Sequence, residues 1–264
     1  MSAPYLRGSV TARTRCRDAL IAMAPCLIAA WYFYGPAVLL LLICAAAGCA
    51  AGEAALSAAR RTVIRLDDLS FLVSALVLTL LIPAGTPWWA VLAGGALAGG
   101  VKGVWGGLGK NWLNPAALAA LILYAARLCP AGALDEGVHR FLGAASGGPM
   151  GGCAPLLIAL GYGFLCIRGL TRPTFSLCFL LTALAPELFL NVPGGIMGGT
   201  LLLAALFCGS DGVTTPLNMG AQVILGAFCG LATAFLRAGL AIDGALLALL
   251  AANLLTRPLD RIMN

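Results

Sequence analysis

The chain has 264 residues, of which 61% are hydrophobic and only 10% are charged. A soluble domain of this length cannot bury so much apolar surface, and a membrane-spanning helix needs about 20 apolar residues, so the composition excludes a soluble protein and indicates a polytopic membrane protein. The formal net charge of +6 is expected to reflect membrane orientation and contact with anionic lipid, and we expect no nucleic-acid partner.

Hydrophobic runs between charges and turn residues predict about ten membrane helices, with eight or nine as alternatives. Several runs are shorter than a full bilayer crossing, so tilted, interrupted or half-length helices are expected. The whole chain, 1–264, is therefore predicted to be a single all-α integral membrane domain. The predicted spans are 19–35, 37–58, 69–84, 88–104, 114–128, 152–167, 174–190, 195–208, 219–236 and 243–256.

The basic residues predict the orientation of these spans, because Lys and Arg collect in cytoplasmic loops. With a cytoplasmic N-terminus, all of the 16 Lys and Arg residues fall on the inner side except Arg127, Arg140 and Arg237. We therefore predict a multi-pass protein of the cell inner (plasma) membrane with both termini in the cytoplasm.

Glu53 lies near the inner end of the second predicted span. An unpaired carboxylate in hydrocarbon costs several kcal/mol, so it must have a partner or a function. Two interpretations are open: a role in binding a proton or cation, and a carboxylate that snorkels to the membrane surface or pairs with Arg60 and Arg61. The second interpretation is favoured.

Three polar junctions interrupt the apolar sequence on the predicted cytoplasmic side. The first, 67–70, opens the third span with an Asp that can accept from the first free helix amides. The second, 104–116, places glycines, a lysine and two asparagines between apolar runs, and the third, 210–218, contains hydroxyls and a carboxylate. Lipid cannot satisfy such backbone, so it must lie at the membrane surface or line a protein-buried site.

The chemistry of the junctions suits ligand binding, with ordinary capped turns as the alternative interpretation. Amides at helix starts bind anions such as a flavin phosphate or ring oxygens, whereas carbonyls and carboxylates bind cations. We predict that Asn111, Asn114, Asp211 and Thr214 face a shared buried site. The predicted cofactor-binding residues are Asp68, Ser70, Asn111, Asn114, Asp211, Thr214 and Thr215.

No motif predicts autonomous catalysis. The sequence has no nucleophile with a paired base, no phosphate loop and no zinc spacing, and His139 is its only histidine. We therefore expect neither catalytic residues nor a metal site.

Glycines are concentrated in the fourth, eighth and ninth predicted spans. Small residues let helix backbones approach closely in lipid. Because both halves of the chain have such a region, we predict two five-helix repeats of opposite topology, 19–128 and 152–256, with interrupted helices.

Several motifs, in one order along the chain, resemble the D subunit of the Rnf electron-transport complex and the related B subunit of the sodium-translocating NADH:quinone reductase. The likeness runs from the N-terminal residues to the C-terminus. The motifs are Asp68–Ser70, Leu81–Pro83 with Pro87–Trp89, Gly106–Asn111 with Asn114–Ala116, Asp211–Pro216 and Ala251–Asn253.

This resemblance implies a membrane subunit of a complex that couples electron transfer between ferredoxin and NAD to Na⁺ or H⁺ movement. Its partners would be the other integral and peripheral subunits of that complex. Family members carry FMN esterified to a threonine between the fifth and sixth spans. Here no threonine lies between Thr86 and Thr171, so covalent FMN is not expected, and any FMN or riboflavin would be bound non-covalently.

A second function remains open. The inverted-repeat fold implied by the resemblance is also similar to that of urea transporters. The chain could on that basis be a stand-alone channel or carrier for a small polar solute, because fold alone does not determine function.

Overall fold

The computed structural model describes residues 11–61, 68–105, 111–130, 148–190, 200–239 and 244–263. Every regular element within these ranges is helical, which confirms the all-α prediction. Three helical segments among the described residues are long and apolar enough to cross a membrane, and four more are apolar but shorter. The long segments are Ala12–Tyr34, Ala37–Ala59 and Met219–Leu236.

Ten α-helices and two short turns of other helix types are described, and each of the ten predicted spans overlaps at least one of them. Chain order is α1 (Ala12–Tyr34), α2 (Ala37–Ala59), α3 (Ser70–Leu81), α4 (Trp88–Val104), α5 (Pro115–Ala125), a 3₁₀ turn (Met150–Cys153), α6 (Pro155–Ile167), α7 (Pro173–Leu190), α8 (Leu201–Leu203), a π-helical turn (Ala204–Cys208), α9 (Met219–Gly239) and α10 (Gly244–Met263).

Helix boundaries differ from the predicted spans at several places, and three of these differences have a local cause. The first helix starts a full turn and more before residue 19, because the Thr11 side chain accepts from the Thr14 amide at 3.2 Å and caps it. The third helix ends at Leu81 because proline at 83 cannot continue the helical hydrogen bonds. The last helix continues from 256 to Met263, where polar contacts with a neighbouring loop hold its final turns.

Glycines bring α2 and α4 into direct backbone contact. A Cβ atom at Gly99 of α4 would collide with the carbonyl oxygen of Cys49, and one at Gly52 of α2 would collide with that of Ala96. The same kind of contact joins α7 and α9, where a Cβ atom at Gly226 would lie 2.7 Å from the Phe175 carbonyl oxygen. Two helix pairs are therefore packed through their backbones, as small residues permit.

The helix ends form two chemically different ends of the bundle. At one end, which we call the polar end, α2 and α4 finish, α3 and α5 begin, and loop 209–218 follows the π-helical turn. Arg60 joins α2 to α4 there by donating to the Gly103 carbonyl oxygen at 2.7 Å. At the opposite end the Met150 amide donates to Ile82 O at 2.9 Å. The polar end carries the described residues of all three predicted junctions, whereas residues 67 and 106–110 of those junctions lie outside the described ranges.

Candidate functional site

A cavity of about 490 Å³ opens at the polar end, where the three junctions meet. It lies between the starts of α1, α3 and α5, the end of α4 and loop 209–218. Much of its wall is apolar, including Met23, Val77 and Phe207. Four of the seven residues predicted from sequence line it: Ser70, Asn111, Asn114 and Asp211.

Asn114 acts mainly as a helix cap. Its Oδ1 atom accepts from the amides of Ala116 at 3.1 Å and Ala117 at 3.2 Å, and Pro115 occupies the first helical position of α5. This is the arrangement that the capped-turn interpretation requires. The side-chain oxygen of Asn114 is therefore already engaged in holding α5 in place.

Asn111 is different, although it stands only three residues earlier. Its side chain is 6% exposed, and its Oδ1 atom is buried with no hydrogen-bond partner among the described residues. An unsatisfied buried acceptor costs about 1–3 kcal/mol. Because Asn111 also lines the cavity, its oxygen is available to accept a hydrogen bond from a ligand.

The C-terminal turns of α10 hold two of the junctions in place. The Arg257 guanidinium lies 4.5 Å from the ring centroid of Trp112, in the second junction. One residue earlier, Thr256 Oγ1 donates at 2.9 Å to the carbonyl oxygen of Thr214, which lies in the third junction. A single helix thus fixes the relative positions of segments a hundred residues apart in sequence.

The first junction supports a buried ionic network. Ser70 donates to Asp68 Oδ1 both from its amide, at 3.0 Å, and from its hydroxyl, at 2.6 Å. The Lys102 ammonium donates to Ser70 Oγ and, at 2.5 Å, to Glu53 Oε1. The side chains of Lys102 and Glu53 are only 6% and 11% exposed. Asp68 therefore acts on the cavity wall through Ser70.

The predicted pairing of Glu53 with Arg60 and Arg61 is wrong. Glycine packing brings α4 against α2, so Lys102 reaches Glu53 inside the bundle, while Arg60 turns to the Gly103 carbonyl oxygen. Lys102 also lines the cavity and was not among the residues predicted from the sequence. A lysine inside a glycine-rich apolar helix was the available signal, since a buried ammonium needs a carboxylate partner.

Asp211 organises the third junction. Its Oδ1 accepts from the Val213 amide at 3.3 Å, and its carbonyl oxygen accepts from the amides of Thr214 and Thr215 at 3.1 Å each. Burial raises the pKa of the Asp211 carboxyl above its ordinary value, and the Val213 amide and the Arg15 guanidinium oppose that shift. The carboxylate is thus held by the turn on the cavity wall.

Thr214 and Thr215 do not line the cavity. The Thr215 hydroxyl lies 2.6 Å from Gly209 O and 2.8 Å from Asp211 O, which stabilises the loop. Thr214 is 2% exposed, and its Oγ1 has no partner among the described residues. Of the four residues expected to share one buried site, Asn111, Asn114 and Asp211 line the cavity. A cofactor-binding role remains a prediction for all seven predicted residues.

The profile of the NQR2, RnfD, RnfE family matches residues 1–264. The D subunit of the Na(+)-translocating ferredoxin:NAD(+) oxidoreductase complex of Acetobacterium woodii is 25% identical to the chain over 271 aligned positions, covering 89% of the chain and 84% of that relative. The D subunit of the ion-translocating oxidoreductase complex of Methanosarcina acetivorans is 27% identical, covering 95% and 90%. The protein of the same name from Stutzerimonas stutzeri is 29% identical, covering 92% and 88%.

Proposed function

The chain belongs to the NQR2, RnfD, RnfE family, and from that premise we propose that it is the D-type membrane subunit of an ion-translocating oxidoreductase complex. The relatives' names support this proposal, since all three are D subunits of such complexes. The partners are then the other integral and peripheral subunits of the complex, together with membrane lipid. The same names favour this function over the stand-alone solute channel.

The reaction proposed for the whole complex is electron transfer between ferredoxin and NAD coupled to the movement of Na⁺ or H⁺. The Acetobacterium woodii relative, whose name specifies sodium translocation and ferredoxin:NAD⁺ oxidoreduction, supports this assignment. The chain contributes a membrane-embedded site to that reaction and is not an autonomous enzyme.

We further propose that the polar end faces the cytoplasm of a plasma-membrane protein, with both termini on that side. Exposed arginines at this end, among them Arg60, Arg61 and Arg168, agree with the bias of basic residues towards the cytoplasm. The start of α1 and the end of α10 both contribute residues to the polar end.

Two inverted repeats, 19–128 and 152–256, also belong to the proposal. The second and fourth helices of the first repeat are α2 and α4, and those of the second are α7 and α9. Both pairs pack through glycine backbones. This shared contact between helices at equivalent positions supports the proposed repeats.

The cavity at the polar end is proposed to hold a non-covalent flavin, either FMN or riboflavin. Its volume of about 490 Å³ and its mainly apolar wall with a few polar groups are typical of sites for organic cofactors. The unpartnered Asn111 oxygen carries the proposal, because it can accept from an N–H group of the flavin ring. When bound, the flavin would supply the electron-transfer chemistry.

Each predicted site residue has a distinct role in this proposal. Asn111, Ser70 and Asp211 offer polar groups to the ligand, and Asn114 positions α5 beside it. Asp68 orients Ser70. The two threonines act indirectly by shaping the loop that carries Asp211: Thr214 and Thr215.

Flavin content of the purified complex tests the proposal. We expect riboflavin or FMN to be released on denaturation, leaving no fluorescent chain on a denaturing gel. Asn111→Ala should raise the dissociation constant for riboflavin about tenfold and so lower the flavin content, because one lost hydrogen bond is worth about 1 kcal/mol and 1.4 kcal/mol is about a factor of ten. The control is Asn253→Ala, which also removes a buried amide with an unpartnered atom but does not line the cavity.

Two outcomes would contradict the proposal. Equal flavin loss in Asn111→Ala and Asn253→Ala would show a general effect of altered packing. Fluorescence that stays with the denatured chain would show a covalent flavin instead.

A further inference from the structure

Lys102 is the buried cation of the cavity wall. Among the described residues that line the cavity, two are basic, Arg15 and Lys102. Arg15 is exposed, so water and salt screen its charge. Lys102 is 5% exposed, and its charge acts through protein of low dielectric.

In the Lys102–Glu53 ion pair, the positive group is the one that lies at the cavity wall. Its ammonium has three donors, of which one goes to Glu53 and one to Ser70. Glu53 does not line the cavity, whereas Lys102 and Ser70 do. The ion pair therefore presents its positive end to the cavity, and among the described residues no acceptor takes the third ammonium proton.

The negative charges around Lys102 limit this positive field. Ser70 passes a hydrogen bond on to Asp68, so two carboxylates, those of Glu53 and Asp68, act on one ammonium. Asp211 adds a half-buried carboxylate on the opposite junction. The balance among these groups decides which charge state of a ligand the cavity prefers.

We propose that Lys102 makes this cavity prefer the reduced, negatively charged form of its ligand, and that Glu53 limits the preference. This inference rests on the proposed flavin site. One electron added to the oxidised ring brings one negative charge, which a nearby ammonium stabilises relative to the neutral oxidised ring. Charge close to the ring nitrogens is an established means of tuning a flavin.

The test compares four variants of the full complex by spectroelectrochemical titration of bound riboflavin with dithionite. The expected order of midpoint potentials, from high to low, is Glu53→Gln, wild type, the double variant Lys102→Met with Glu53→Gln, and Lys102→Met alone. Lys102→Arg should lie near wild type because it keeps the charge. Between Glu53→Gln and the double variant, the ratio of dissociation constants for reduced and oxidised riboflavin should change about tenfold, which is about 59 mV for a one-electron couple.

Arg60→Met is the matched control, since it removes an exposed cation at the same end of the bundle. Among the described residues, the Arg60 side chain donates to the Gly103 carbonyl oxygen. The potential of Arg60→Met should equal that of wild type. If Lys102→Met fails to fold, the comparison of Glu53→Gln with the double variant decides. Neither of these variants leaves the Glu53 carboxylate buried without its Lys102 partner. Equal potentials in those two variants overturn the inference alone. A wild-type complex without flavin overturns the proposed flavin site and this inference together.

Discussion

The helix pairs α2–α4 and α7–α9 share their backbone packing but differ in what they carry. In both, glycines allow one helix to approach the carbonyl oxygens of the other. The α2–α4 pair contains the buried Lys102–Glu53 ion pair beside the cavity. The α7–α9 pair contains hydroxyls that bond locally, such as Thr182 to Cys178 O at 2.7 Å. Among the described side chains, similar backbone packing thus accompanies a buried ion pair between α2 and α4 and locally bonded hydroxyls between α7 and α9.

The largest expected effect comes from breaking the ion pair between α2 and α4. Lys102→Met leaves the Glu53 carboxylate buried without its partner, and removing one member of a buried pair typically costs about 3–5 kcal/mol. The double variant Lys102→Met with Glu53→Gln should recover most of that loss. Thermal unfolding of the detergent-purified protein measures the stability lost in Lys102→Met and the stability recovered in the double variant. A double variant no more stable than Lys102→Met would contradict the pairing.

A smaller effect is expected from the glycine contact between α2 and α4. In Gly99→Ala the new methyl group would meet the Cys49 carbonyl oxygen, so the helices must separate at a cost of about 1–3 kcal/mol. Gly100→Ala is the control, because open space surrounds its Cβ position, and alanine favours a helix by up to about 1 kcal/mol. Unfolding temperatures that fall equally in both variants would argue against close backbone packing.

The smallest expected effect is at the corresponding contact between α7 and α9. In Gly226→Ala the methyl group would lie 2.7 Å from the Phe175 carbonyl oxygen and 2.9 Å from Cys178 Cβ. This clash is milder than that at Gly99, so we expect a loss of about 1 kcal/mol. Gly163→Ala on α6, with no atom near its Cβ position, provides the baseline. Destabilisation greater than that of Gly99→Ala would reverse the comparison.

Local chemistry explains why parts of the site were predictable. Asn114 and Pro115 form a helix start that neighbouring residues complete, and the structure shows that cap. The meeting of the junctions was also predictable, because the positive-inside rule placed all three at one end. The motifs alone did not predict which ligand the cavity binds. The proposal of a flavin came from the family resemblance rather than from any single motif.

Partners across the bundle were not predictable. Arg60 is close to Glu53 in sequence, yet Lys102 is the residue that contacts it, because α4 packs against α2. Thr214 was expected at the shared site but lies outside the cavity wall, behind a turn whose path depends on contacts with α10. Sequence spacing contains no information on such distances.

The amino-acid sequence by itself determined the membrane class, the all-helical architecture and the positions where most helices begin and end, because hydrophobic length, capping side chains and prolines act over a few residues. Only the tertiary structure decided that Lys102 pairs with Glu53 and that Asn111 keeps an unpartnered oxygen while Asn114 does not. Those outcomes depend on which helices pack together, since burial and hydrogen bonding between distant segments exist only after the chain has folded.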